Sequence, residues 1–304
     1  MTKPNLFIVG APKCGTTALS EYLREHPNVF MCEPKEPFYF ATDFPRYESI
    51  IAKTEEEYLA LFEGVTESEY VVGEASVIYL YSKEAIQNIM NFSSNAKIIV
   101  MLRNPVELVY SMHSQLLYSS DEDEADFEKA WNLIEQRKKG NNIPEKCRDR
   151  KMIFYDEIAK QGEQLERLLN IFKKENVKVI FSEDFFNNTE KVYQDVLGFL
   201  GLENDNRKSF PRINQNKHHK FRWLGQFTQR PPHKLINFIL KIKNTLGIKQ
   251  LRILDVLRKI NLIKVERKSL SNEFKRLIIK SYYNDILKLS ELTGRNLESW
   301  RECK

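Results

Sequence analysis

No stretch of this 304-residue chain is rich in glycine, serine or proline, so nothing in it reads as a linker between domains. Length alone would permit two domains. Without a linker the chain is expected to fold as one domain over 1–304, large enough to bury roughly 75% of its unfolded surface. The four cysteines (Cys14, Cys32, Cys147, Cys303) form no C-x-x-C pair and have no metal-ligand spacing. Free thiols in a reducing compartment are expected, and no metal. The longest uncharged apolar runs, such as Leu6–Val9 and Ile98–Leu102, are far shorter than a membrane span. No basic–apolar–small leader pattern precedes Leu6 either, which makes the cytoplasm the expected location. Basic-plus-aromatic RNA motifs, zinc fingers and internal repeats are all missing, so no nucleic-acid partner is expected.

Negative charge is scarce in one place. Residues 229–268 hold eleven Lys/Arg against Asp255 and Glu266, a surplus of +9 in a chain whose net charge is +5. The same segment carries apolar residues from Leu235 to Leu257, so it is expected to be mostly helical with its apolar stripe on the core. Basic amphipathic helices also rest on anionic membranes or grip acidic glycans, which leaves peripheral membrane contact through 229–268 as a second expectation.

What is present is an alternation of short apolar strands and amphipathic helices. Leu6–Val9, Tyr70–Val72, Lys97–Leu102 and Val177–Phe181 read as strands. Helices are expected near 16–26, 105–118, 126–137, 158–174 and 190–200, with Asn104 capping Pro105 at the first helical position. This order predicts an α/β fold: a parallel β-sheet flanked by helices on both faces. In such sheets ligands bind at the carboxyl ends of strands. The turns after Val9 and after Leu102 both lie there and can face one crevice.

The first of those turns reads "GAPKCGTTAL" from Gly10. Gly10 and Gly15 keep the spacing of a P-loop, and Thr17 keeps its hydroxyl. Thr16, however, stands where the common nucleotide loop has lysine, and the only lysine, Lys13, lies in mid-loop. Main-chain amides around Lys13–Thr17 at a helix start suit a compact tetrahedral anion. Cys14 reads as a small loop residue or a reactive thiol, the former favoured. No aspartate closes an apolar strand to hold Mg²⁺: the strand Lys97–Leu102 runs into Arg103, which suits a second phosphate. Ser111 lies seven residues after Asn104, a rotation of roughly 700°, so it shares the face Asn104 presents. The residues therefore ask for a ligand with two anionic ends and no obligatory magnesium.

"FIVGAPKCGTTALSEYLREHPNVF" and "KIIVMLRNPVELVYSMHSQ" resemble the two cofactor signatures of sulfotransferases that use 3′-phosphoadenosine 5′-phosphosulfate (PAPS). "KEPFYF", "GEASVIYLYS", "EQLERLLNIF", "VIFSEDF", "FLGL" and "LTGRNLESW" extend the likeness over most of the chain, toward a bacterial carbohydrate-type branch distantly similar to heparan sulfate enzymes. The resemblance implies that Pro12, Lys13, Cys14, Gly15, Thr16, Thr17 and Ala18 hold the 5′-phosphosulfate, and that Arg103 and Ser111 hold the 3′-phosphate. It implies sulfuryl transfer to an acceptor hydroxyl or amine, expected on a glycan or small molecule, releasing 3′-phosphoadenosine 5′-phosphate (PAP). Lys13 would neutralise the leaving phosphate and Glu36 would act as base. Glu36 could instead be a turn residue before Pro37, and Glu33 is a competing base. Lys35, Glu74 and Ser76 are candidates on the acceptor side. Heparan-type relatives place a lysine between the glutamate and serine of their "GE" segment, where this chain has Ala75. Lys220 and Arg222 match a late loop that covers the nucleotide in relatives. Two other readings are an ATP-using P-loop kinase and a nucleotide-binding module without catalysis.

Overall fold

The computed structural model describes residues 2–45, 52–213 and 268–303, together with the backbone of 218–219 and 262–263. A five-stranded parallel sheet has the order β2-β3-β1-β4-β5. Its strands are β1 (Leu6–Gly10), β2 (Val29–Met31), β3 (Val71–Ala75), β4 (Lys97–Leu102) and β5 (Val177–Phe181). β1 is apolar from Leu6 to Val9 and β4 from Ile98 to Leu102, because strands covered on both faces have no side that meets water. Leu6 to Val9 and Ile98 to Leu102 are all fully buried.

The helices include α1 (Thr16–Arg24), α2 (Glu55–Ala60), α3 (Ala85–Phe92), α4 (Pro105–Ser119), α5 (Phe127–Asn132), α6 (Ile134–Lys138), α7 (Tyr155–Ile158), α8 (Gln161–Leu169), α9 (Ser182–Asn187), α10 (Thr189–Leu200) and α11 (Asn272–Thr293). From β1 the chain moves toward the β2 edge, whereas from β3 it moves the other way to β4. Right-handed crossovers then put α1 and α3 on opposite faces. Side chains agree. Tyr22 of α1 meets Phe185, and Tyr193 of α10 donates to its carbonyl, whereas Tyr58 of α2 packs on Phe92 of α3. From β4 the chain moves on the same way to β5, so the neighbouring strands β1 and β4 lead in opposite directions along the sheet.

Contacts group residues 1–112, 154–213 and 270–304 into one compact unit, which holds the sheet. The described residues of 113–153 belong to a second, with α5, α6 and an ion pair between Arg137 and Glu122 at 2.6 Å, both fully buried. Removing either partner would leave the other buried and unanswered, which is costly in a low dielectric.

Several details differ from the sequence expectations, among them the helix expected over 126–137, which is split into α5 and α6. β2 is a strand where none was expected; at three residues it carries too little pattern to read. The helix expected over 158–174 spans only Gln161–Leu169, with α7 separate before it. The helix expected to reach His26 stops at Arg24, and His26 is buried with Nε2 3.0 Å from the carbonyl of Glu203. Two quoted motifs turn out to be packing partners. Arg295 binds both oxygens of Asp184, and Trp300 donates to Glu183 at 2.5 Å, so "LTGRNLESW" docks on "VIFSEDF". Among the described residues no helix is long and apolar enough to cross a membrane.

Gly10 joins β1 to the loop at φ 142°, and a Cβ there would lie 2.6 Å from the carbonyl oxygen of Val77. Backbone cannot yield as a flexible side chain would. Gly10→Ala is therefore expected to cost more than about 2 kcal/mol of stability. A denaturant midpoint within error of the parent would contradict this.

Candidate active site

After Gly10 the chain passes through Ala11 and Pro12 to Lys13 at φ 65° and Gly15 at φ 101°. Left-handed residues inside a turn let successive main-chain amides converge on an anion. α1 then begins with no acidic residue in its first turn, so the positive end of its dipole is not cancelled. Lys13, Gly15 and Thr17 are half-buried, whereas Pro12, Cys14, Thr16 and Ala18 are buried. The loop thus alternates partly exposed residues with buried ones. Cys14 is an anchor: its thiol is fully buried, donates to the Pro12 carbonyl at 3.4 Å, and is pushed up to about 12 by that burial. It stays protonated at neutral pH, which sets aside the reactive-thiol reading and leaves only its main chain for a ligand. Ser182 donates to the Cys14 carbonyl at 2.8 Å and fixes the loop to α9.

The strand end of β4 meets this loop directly. Arg103 donates from Nη1 to the carbonyl of Lys13 at 3.0 Å, and from Nε and Nη2 to Glu107 at 2.9 and 2.8 Å. Asn104 caps α4 by accepting from Val106 N–H at 3.0 Å, with Pro105 at the first helical position as expected. Ser111, two turns on, is 3% exposed and so is no ordinary surface serine.

Glu36 and its neighbours lie on the segment that follows β2. Glu36 at φ 66° and Phe38 at φ 54° give this segment an irregular path. Lys35 Nζ donates to Glu36 Oε1 at 2.6 Å. Glu33 pairs instead with Arg24 at 3.0 Å, and its side chain is 74% exposed. The segment hangs from β3 and the turn after it: the Phe38 amide donates to Ser76 Oγ at 3.3 Å, and the Phe40 amide to the Tyr79 hydroxyl at 3.4 Å. Those two groups, with Tyr58, donate to Glu74 at 2.6, 2.9 and 2.8 Å. Glu74 is fully buried, so it and Ser76 are supports of the Glu36 segment in this state.

Lys220 and Arg222 lie outside the described residues, as do Trp223 and most of 229–268. Sequence reasoning missed Gln161, whose side chain makes both main-chain hydrogen bonds of Arg103. A polar residue opening an amphipathic helix carries no signal that it points inward. Among the described residues no group of three or more His, Cys, Asp or Glu is arranged to hold a metal ion.

Residues 3–224 match the family model described as sulfotransferase domain. The chain belongs to that family. Human carbohydrate sulfotransferase 15 is 25% identical over 258 residues, which is 66% of this chain and 44% of that protein. The membrane-associated sulfotransferase kil1 of Dictyostelium discoideum is 33% identical over 110 residues, 36% of this chain and 22% of that one. This sulfotransferase chain therefore spans less than half the length of these curated relatives. The crystal structure of a sulfotransferase from Alicyclobacillus acidocaldarius superposes with a TM-score of 0.72 at 26% identity, covering 99% of this chain and 100% of that one. The expected α/β fold, with its parallel sheet flanked by helices, is thus shared along the chain as one domain.

Burial pushes the Glu74 carboxyl up to about 7 from its usual 4.5, against the pull of Ser76, Tyr58, Tyr79 and Lys35. The folded protein then holds a proton that the unfolded chain releases between about pH 4.5 and 7. Across that window this group's contribution to stability falls as pH rises. Glu74→Gln cannot titrate, so its melting temperature is expected to gain on the parent's as pH goes from 5 to 8. Parallel curves would contradict the assignment.

Proposed function

We propose that this protein transfers the sulfuryl group of PAPS to an acceptor hydroxyl of a carbohydrate or other glycoconjugate. The observation that carries the proposal is the hydrogen bond from Arg103 to the carbonyl of Lys13. It supports a ligand gripped at two anionic ends, one by the amides of the loop and the other by the strand-end arginine. The donor set suits such a group: a helix start free of acids, a lysine, a threonine hydroxyl and a guanidinium, with Ser111 on the adjoining helix. Arg103 stands where a magnesium-binding aspartate would serve ATP, which weighs against a kinase.

When bound, the cofactor supplies an activated sulfuryl group whose departure leaves negative charge on a phosphate. In this reading Thr17 and the amides around Lys13 orient that phosphate, and the Lys13 ammonium neutralises the growing charge. Glu36 takes the acceptor proton as the new sulfur–oxygen bond forms. Lys35, at 2.6 Å, holds the Glu36 carboxylate in place until the acceptor arrives. Glu33 is the weaker candidate for base because Arg24 already holds it at the exposed edge. Lys35 also acts on Glu74, the residue before Ala75, where heparan-type relatives keep a lysine. Lys220 and Arg222 are assigned to the nucleotide cover, on the likeness of their motif alone.

The sulfotransferase domain is taken to extend over 1–304, with the basic segment 229–268 inside it as a mostly helical part of the fold; acceptor docking or peripheral membrane contact through that segment is a secondary reading. The cytoplasm is the proposed location, on the strength of four free cysteines. The kil1 relative, named as membrane-associated, keeps peripheral contact in view.

Calorimetry is expected to show PAP binding in the presence of a chelator; tighter binding of ATP–Mg²⁺ would sink the proposal. Lys13→Ala should lose about 100-fold or more in transfer from labelled PAPS, with near-normal turnover removing Lys13 from the mechanism. Glu36→Gln should keep nucleotide affinity while its rate falls about 100-fold or more. Equal losses of affinity and rate would reassign Glu36 to binding.

A further inference from the structure

Arg103 stands one residue past the last paired position of β4. The β4–β5 register closes at Leu102 opposite Phe181, and β1 contributes its last bond from the Ala11 amide to the Met101 carbonyl at 2.6 Å. Among the described residues no strand pairs with Arg103. Its main chain is completed instead by one side chain, that of Gln161. The Arg103 N–H donates to Gln161 Oε1 at 2.9 Å, and Gln161 Nε2 donates to the Arg103 carbonyl at 2.6 Å. Gln161 is 1% exposed, so this amide imitates a β-ladder partner in a dry setting.

Gln161 is the first residue of α8, and what holds α8 comes from far along the chain. Its own N-cap residue, Lys160, makes no side-chain capping bond. Asp285 on α11 does that work: its two carboxylate oxygens accept from Gly162 N–H at 2.9 Å and Glu163 N–H at 2.8 Å. An anion at this helix end also complements the dipole. Gly162 is the residue that allows the approach, since a Cβ there would lie 2.4 Å from the Asp285 carbonyl oxygen. Lys288 to Glu166 at 2.6 Å, and the buried Tyr282 hydroxyl to the Tyr155 carbonyl, add further ties from α11 to α7 and α8.

We propose that Gln161 and Asp285 are positioning residues for Arg103, and through it for the second phosphate of the nucleotide. Gln161 fixes the backbone from which the guanidinium projects, and Asp285 fixes the helix start that presents Gln161. Neither residue touches the ligand. The inference rests on the reading of Arg103 as a phosphate-binding residue, and it adds a specificity device to it. The chain from Asp285 to Arg103 decides how strongly a 3′-phosphate is felt, leaving the 5′ loop to bind as before.

The test compares PAP with 5′-AMP, which lacks the 3′-phosphate, by calorimetry on the full chain. Wild-type protein should prefer PAP by at least about tenfold, the scale of a charge-assisted arginine contact. Gln161→Ala should weaken PAP about tenfold while leaving 5′-AMP unchanged, and should add little in an Arg103→Ala background. Asp285→Ala should show the same selective loss, and Asp285→Asn, which keeps one acceptor, a smaller one. A wild-type preference that both Gln161→Ala and Asp285→Ala leave intact would overturn the positioning role alone. Equal weakening of both nucleotides by these variants would also overturn it, as a plain loss of structure. Wild-type protein that binds the two nucleotides equally would overturn the two-phosphate reading, and the positioning role with it.

Discussion

One hydrogen bond, from the guanidinium of Arg103 to the carbonyl of Lys13, ties together the two turns on which the site depends. Each turn is set by its own strand, and those strands are neighbours in the sheet, with Leu6 beside Lys97 and Ile8 beside Ile99. Apolar character from Leu6 to Val9 and from Ile98 to Leu102 fixes them at the centre of the sheet. Their carboxyl ends therefore come to one place, and the cation of one turn can meet the backbone of the other. The bond also leaves the arginine further N–H groups, now answered by Glu107.

Around this junction the fold distinguishes buried groups that support from groups that are partly exposed. Glu74 is a support. Its carboxyl is sealed beneath three hydroxyls and gains its place from them, since an unanswered carboxylate at that depth would be costly. Glu36 and Lys35 are partly exposed, and a pair of that kind stabilises a fold by little. In the proposed function their value lies in chemistry instead. The same division runs through the loop itself, where Cys14 and Thr16 are buried and Lys13 and Thr17 are not.

Much of this was legible in the residues. β1, β4 and the loop between Gly10 and Thr17 announce themselves by unbroken apolar runs and by glycine spacing, both local signals. Arg103 was legible because it replaces an expected aspartate. The burial of Ser111 and Glu74 was not legible, because a serine or glutamate looks the same in sequence whether it meets water or three hydroxyls. Gln161 and Asp285 were out of reach for a further reason. They are 124 residues apart, and only the packing of α11 on α8 gives the aspartate a helix end to cap. Tertiary capping leaves no mark on the segment that is capped.

The central claim is that one ligand is held at two anionic ends by these two turns. A crystal structure with PAP bound tests it most directly. The account predicts the 5′-phosphate on the amides of residues 13–17 and the 3′-phosphate on Arg103 and Ser111. A nucleotide bound with both phosphates on the loop, or with Arg103 turned away from either, would contradict it.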